Sequence, residues 1–395
     1  MAHHAPTETH EKSGAAVSKI LSVVGARPNF MKIAPIVDTL KNFPDMRHCL
    51  VHSGQHYDEL LSGSFFTELG LPRPDVNLQV GSGTHAAQTA EVMKRLEPVL
   101  LDYRPDLVLV VGDVNSTLAT AITAVKLGIR VAHIEAGLRS FDKAMPEEIN
   151  RKVTDSISDL LFVTEQSGVD NLRHEGVAQE KIYLVGNVMI DSLLRHRQLA
   201  SKSAILDQLH LRKNGSGLRP YGVLTLHRPS TVDEPEALRG ILTAVGAIAA
   251  EFPVFFPVHP RTRKNIESFG LTGFLSQASL ASSGIIPLDP LGYLDFLNMN
   301  DHARLVFTDS GGVQEETTVL GVPCLTLRKN TERPATVDHG TNRIVGVDPD
   351  HILAIAREVL RQPPDRSRRP PLWDGQAAPR IVEILRQQLR GTPSA

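Results

Sequence analysis

Six clusters of charged, polar or glycine residues carry the chemistry available to this sequence: Gly25-Ala26-Arg27-Pro28-Asn29, Gly112-Asp113-Val114-Asn115, Glu135-Ala136-Gly137-Leu138-Arg139, His227-Arg228, His259-Pro260-Arg261 and Asp309-Ser310-Gly311-Gly312. Each follows directly on a short apolar run. Taken singly, any of them reads as a helix cap or a solvated loop charge. Together they describe one edge, because ligands of open parallel sheets bind beyond the carboxyl ends of the strands. The run Thr308 to Glu316 reads as strand, glycine turn and helix start. Small residues there let the backbone approach a diphosphate, and free N–H groups of a first helical turn favour negative charge. Glu316 is then placed to accept hydrogen bonds from ribose hydroxyls. The same string also fits a Ser310 N-cap with a capping box.

The first cluster has one glycine and is no dinucleotide fingerprint. Pro28 suits a first helical position. Arg27 and Lys32 then lie near the helix start, where cations oppose the macrodipole and serve a bound anion instead. Of the 16 histidines, His227 and His259 are singled out because each follows a buried strand. No metal-ligand spacing is legible, and Cys49 and Cys324 read as small buried hydrophobes of a reducing, cytoplasmic compartment.

The elements that must position these residues are also legible. Apolar runs at Ile20–Val24, Leu107–Val111, Val131–Ile134, Leu160–Val163 and Ile182–Val185 alternate with periodic stretches such as Ala86–Leu101 and Ser116–Leu127. Unbroken apolar strands between helices predict a parallel sheet covered on both faces. A polar segment from Ser201 to Pro220 reads as a join, after which Tyr221–Leu226, Val254–Val258, Arg304–Phe307 and Cys324–Leu327 begin a second series. The predicted organisation is a disordered leader over 1–19, one α/β Rossmann-like domain over 20–200 and a second over 201–372. A helix over 373–395 returns to the first, and the site lies in the cleft between domains. A net charge of −2 and an aromatic content of 5% argue against nucleic acid, and no apolar run is long enough to span a membrane.

The strings Gly-Ala-Arg-Pro-Asn-Phe-Met-Lys, Gly-Gln-His-Tyr-Asp, Gly-Asp-Val-Asn-Ser-Thr, His-Ile-Glu-Ala-Gly-Leu-Arg-Ser, Met-Pro-Glu-Glu-Ile-Asn-Arg, Thr-Asp-Ser-Gly-Gly-Val-Gln-Glu-Glu and Asn-Thr-Glu-Arg-Pro occur in this order. Together they resemble the non-hydrolysing UDP-N-acetylglucosamine 2-epimerases from roughly residue 20 to 390. The resemblance implies a GT-B-type fold of two Rossmann-like domains, UDP-N-acetylglucosamine and UDP as ligands, no cofactor or metal, and a homodimer. It implies elimination of UDP to 2-acetamidoglucal, then re-addition with C2 protonated on the other face. Asp113, Glu135 and Glu147 match the family's catalytic carboxylates. Arg27, Lys32 and His227 match residues near the diphosphate, His227 being counted with the catalytic groups. Ser310, Gly311 and Gly312 match the phosphate turn, Glu316 the ribose contact, Leu291 and Phe296 the border of the uracil, and Arg333 a phosphate-side or sugar-side arginine. His259 joins the binding set.

Two departures bear on regulation. Many members carry Gly-His-Arg-Arg-Glu where this chain has Leu226-His227-Arg228-Pro229-Ser230, and Gln-His-Arg where it has Gln55-His56-Tyr57. Both regions border the second, activating substrate site of some bacterial members, so the departures put allosteric activation in question. A relative acting on a diacetamido-uronic acid sugar nucleotide shares these motifs. A GT-B glycosyltransferase would share the fold and the phosphate turn but has no evident use for three carboxylates in the amino-terminal half. A non-catalytic sensor would have no need of them.

Overall fold

The computed structural model describes residues 17–25, 27–54, 70, 73–213, 217–276 and 283–390, with the Arg27 side chain left out. Gln55-His56-Tyr57 and residues 1–16 of the expected leader lie outside the described residues. Two parallel sheets organise the chain. The first is built from β1 (Ser18–Val24), β2 (Met46–His52), β3 (Val76–Asn77), β4 (Leu107–Val111), β5 (Arg130–Ala136), β6 (Leu160–Val163) and β7 (Ile182–Leu184). The second holds β8 (Gly222–Thr225), β9 (Val254–Pro257), β10 (Ile285–Leu288), β11 (Leu305–Thr308), β12 (Cys324–Thr326) and β13 (Asn342–Ile344). The expected leader is corrected at its end, because Ser18 and Lys19 already pair with Met46 and Arg47 in the sheet.

Strand order is β3-β2-β1-β4-β5-β6-β7 in one sheet and β10-β9-β8-β11-β12-β13 in the other. In each, the direction of winding reverses at one place, between β1 and β4 and between β8 and β11. A reversal leaves the flanking loops splayed apart and opens a crevice at the carboxyl edge. Gly25 and Gly112-Asp113 sit at the first reversal, His227-Arg228 and Asp309-Ser310 at the second. Strands β4 and β6 are buried along their whole length, as two covered faces require.

One face of the first sheet packs against the helices Arg27–Leu40, Val188–Ala200 and Ala377–Arg390, whose Ile33, Val188, Ile381 and Leu385 share a core with Leu107 and Phe162. The carboxylate of Asp191 accepts the backbone N–H groups of Ala377 and Ala378 at 2.9 and 3.0 Å, which caps that last helix from a distant element. Asp45 holds the helix's other end through Arg386 and Arg390, and the buried Trp373 donates its Nε1–H to the Thr164 carbonyl at 3.0 Å. Ile205, Leu206 and Leu211, from the polar segment read as a join, are buried with Tyr221 and Phe255 of the second sheet.

Removing the remote cap leaves two helix N–H groups without a partner, and losing such a cap costs about 1–2 kcal/mol. Asp191→Ala is therefore expected to lower unfolding stability by about that amount, with Asp191→Asn losing less, as read by urea denaturation. An unchanged midpoint in both variants would refute the cap.

Candidate active site

A cavity of about 360 Å³ opens at the carboxyl edge of the second sheet. Leu291 and Phe296 supply an apolar wall, Ser310 and Gly312 a backbone floor, and Glu316, Lys32 and Arg333 its charges. The helix Gly311–Leu320 starts here, and Ser310 precedes it without a side-chain capping bond. The capping-box reading is thus not realised, and the first-turn N–H groups are left for a ligand. A Cβ on Gly312 would meet nothing within 4 Å, whereas one on Gly311 would stand 2.9 Å from Glu332 Oε1. Gly312 therefore keeps the cavity floor open, and Gly311 allows close packing behind it. Burial pushes the Glu316 carboxyl up to about 7, against the opposite pull of Tyr293 beside it. Burial likewise raises Glu315, opposed by Arg333.

Lys32 and Arg333 also face Glu135, the last charged residue of β5. Lys32 Nζ pairs with Glu135 Oε2, and Arg333 Nη2 lies 3.6 Å from Oε1. Glu135 adopts a left-handed φ of 68° at a register shift between β5 and β6. That backbone is unfavourable for a residue with a side chain, and such strain gathers where a functional group must be aimed. Arg333 Nε binds Glu315 as well, so one guanidinium bridges a carboxylate at the end of β5 and one on the helix Gly311–Leu320. Gly112, at φ 70°, closes this wall: an added Cβ would lie 3.2 Å from Lys32 Nζ, 3.3 Å from Asn29 Nδ2 and 3.4 Å from Glu135 Oε2.

Beyond the wall lies a larger cavity of about 970 Å³, lined by Asp113, Glu147, Arg151, His227, Arg228 and Arg328 among others. Asp113 follows β4 by two residues, and its carboxylate meets the Arg151 guanidinium. Glu147 stands in the first turn of the helix Pro146–Ile157. Its neighbour Glu148 accepts the Ser140 and Phe141 backbone N–H groups and pairs with Arg151 at 2.8 Å, which fixes the loop above Asp113. Burial raises the Glu148 carboxyl, but the Ser140 N–H and Arg151 outweigh it and leave it lowered. His227 donates its Nδ1–H at 2.9 Å to the carboxylate of Asp309, which also takes the backbone N–H groups of His227 and Arg228. Nε2 is thereby left for the cavity. Burial of Asp309 disfavours its charge, yet His227 and Thr231 prevail and hold its carboxyl below the ordinary range.

The residues singled out from the sequence thus fall into two groups. Lys32, Leu291, Phe296, Ser310, Gly312, Glu316 and Arg333 line the smaller cavity, with Gly311 just behind. Asp113, Glu147 and His227 line the larger, and Glu135 stands in the wall between. His259 lines neither. It caps the helix Pro260–Ser268 by accepting the Arg261 N–H at 3.3 Å. Sequence reasoning missed Arg151, Glu148 and the orienting role of Asp309. The signal for the first two was present, since Arg151 follows Glu148 at the three-residue spacing that brings side chains together on a helix. Among the described residues, no cluster of three or more His, Cys, Asp or Glu is arranged to hold a metal ion.

The family model for UDP-N-acetylglucosamine 2-epimerase matches residues 38–386 of the chain. UDP-N-acetylglucosamine 2-epimerase of Methanococcus maripaludis is 41% identical over 371 residues, covering 93% of this chain and 98% of that protein. UDP-2,3-diacetamido-2,3-dideoxy-D-glucuronate 2-epimerase of Pseudomonas aeruginosa is 40% identical, with 93% and 99% covered. A crystal structure of the Methanocaldococcus jannaschii UDP-GlcNAc 2-epimerase in complex with UDP-GlcNAc and UDP superposes with a TM-score of 0.83 at 40% identity, covering 93% of this chain and 99% of that one. The fold is the two-domain parallel α/β arrangement of these enzymes.

Gly112→Ala tests the wall. A methyl group at a left-handed position costs about 1–2 kcal/mol of backbone strain and would press on Lys32 and Glu135. Turnover is expected to fall, with thermal stability lowered by a few degrees; wild-type turnover in the variant would show that the wall tolerates displacement.

Proposed function

The chain belongs to the UDP-N-acetylglucosamine 2-epimerase family, and from that premise we propose that it interconverts UDP-N-acetylglucosamine and UDP-N-acetylmannosamine. The observation that carries the reading is Arg333, which lines the cavity of Ser310, Gly312 and Glu316 while standing 3.6 Å from Glu135 of the other sheet. A nucleotide cradle and a buried acid thereby share one wall.

In this reading uracil lies against Leu291 and Phe296, and the ribose hydroxyls donate to Glu316. The diphosphate meets the open helix start at Ser310–Gly312, with Lys32, Arg333 and Arg27 as its cations. These dipoles and charges stabilise UDP as it leaves. A carboxylate takes the C2 proton, the C–H electron pair becomes the C1=C2 bond, and the C1–O bond breaks toward UDP. In the return step a proton reaches C2 from the other face and a β-phosphate oxygen re-bonds to C1. Asp113, Glu135 and Glu147 surround the region where the sugar would sit, and Asp309 presents His227 to the same space. Two acids on opposite faces of C2 account for inversion without a second enzyme.

A homodimer and a cytoplasmic location belong to the same proposal. Leu101, Val125 and Ile149 are exposed on three successively packed helices, which favours a partner surface. Free Cys49 and Cys324 suit a reducing compartment.

The decisive experiment follows UDP-N-acetylglucosamine by NMR in deuterium oxide, with no added activator. The expected outcome is UDP-N-acetylmannosamine, with deuterium at C2 of both sugar nucleotides; epimerisation without label would exclude the proton-transfer route. Asp113→Asn, Glu135→Gln and Glu147→Gln should each lower kcat by about 100- to 10,000-fold while leaving UDP affinity little changed. An equal loss of UDP binding would contradict their assignment to the sugar.

Glu316 adds a pH signature. Its carboxyl is lifted to about 7 in the free protein, and only the ionised form accepts from both ribose hydroxyls. UDP affinity should therefore weaken as pH falls through about 7, more steeply in the wild type than in Glu316→Gln. Identical calorimetric profiles for the two proteins would remove Glu316 from the ribose site.

A further inference from the structure

We infer that His133 is a positioning residue for the reaction proposed above, one that carries both ring protons and uses them to lock the turns presenting Asp113 and Glu135. His133 lies on β5, is fully buried and lines neither cavity. Its Nε2 stands 2.9 Å from the Gly112 carbonyl oxygen and its Nδ1 2.7 Å from Asp155 Oδ1. A carbonyl only accepts, so Nε2 is a donor.

The other side is settled by what surrounds Asp155. Its Oδ2 takes the Gly137 N–H at 3.0 Å and meets the Arg139 cation at 2.7 Å, an amide and a positive charge that stabilise the carboxylate over the acid. Nδ1 therefore donates too. A neutral ring would turn a lone pair onto one of two oxygens in a fully buried position. Arg139 is shared with Glu175, which Lys152 approaches at 3.6 Å, so His133 faces a negative Asp155 within an otherwise compensated set.

The geometric consequence reaches the active site twice. The Gly112 carbonyl belongs to the peptide unit that ends in the Asp113 nitrogen. Asp113's own carbonyl is held by Asn150 Nδ2 at 2.8 Å, and its carboxylate by Arg151. His133 thus completes a three-point fixation of Asp113. Through Asp155 it also fixes Gly137, two residues beyond Glu135, whose left-handed backbone needs the following turn to be held. Small displacements of a catalytic group are costly, about a hundredfold for roughly 1 Å.

Two measurements on the full chain test this. In protein labelled with 15N-histidine, with His133→Gln used for assignment, the His133 ring should show two protonated nitrogens at neutral pH. A ring with one bare nitrogen would overturn the assignment. His133→Gln and Asp155→Asn should each lower kcat by about a hundredfold with the UDP dissociation constant unchanged. Wild-type kcat in both would overturn the positioning role. Should either variant fail to fold, the His133 ring is assigned in the wild-type protein through its own backbone resonances, and its spectrum still decides the protonation on which the inference stands. Failure of the wild type to epimerise any UDP-sugar would count against the functional reading, and the spectrum separates that outcome from failure of the inference.

Discussion

Charged groups taken out of water must find partners, because the cost of stripping each ion of its hydration is on the order of several kcal/mol even after the protein relaxes. In this molecule that requirement is concentrated in the chain Lys32–Glu135–Arg333–Glu315, all four buried and alternating in sign. Two members come from each half. Removing either half would leave its two without the bridging contact, so the chain ties the carboxyl edges of both sheets face to face. The left-handed backbone at Glu135 and the glycine at position 112 accompany this chain of charges, and a side chain at 112 would press on both Lys32 Nζ and Glu135 Oε2.

Division of labour between the halves follows from the same geometry. The second half offers backbone N–H groups and a buried carboxylate that suit a nucleoside diphosphate, a ligand recognised mostly by shape and charge. The first half offers acids that are individually held by cations or amides, as Asp113 is by Arg151 and Asn150. Groups so restrained contribute to catalysis by being in place beforehand, which avoids reorganisation when charge develops.

Much of this was legible before any coordinates. Leu107–Val111 and Leu160–Val163 emerge with the bounds read from the sequence, because nothing polar interrupts them. β3, β10 and β13 went unread, all of them short strands at sheet edges, where Pro287 interrupts one apolar run and Arg343 splits another. The strand-end charges stood out because they adjoin buried segments, and most of them meet at the two cavities. What stayed hidden were partnerships across the fold: Arg151 lies 38 residues from Asp113, and Asp309 lies 82 from His227. His259 caps the helix that follows its strand, a role that a strand-end histidine fills without any ligand.

The last helix has a consequence for how the protein comes into being. Ile381, Val382 and Leu385 belong to the core of the first sheet, and Asp45 and Asp191 wait for partners more than three hundred and nearly two hundred residues downstream. On the ribosome, where domains generally form from the amino terminus onward, the first half emerges with an uncovered apolar face and two unsatisfied acids. It remains unfinished until the helix Ala377–Arg390 has left the exit tunnel. The amino-terminal half is therefore complete only after the carboxyl-terminal half, and a nascent chain stalled between them would present that bare face to chaperones.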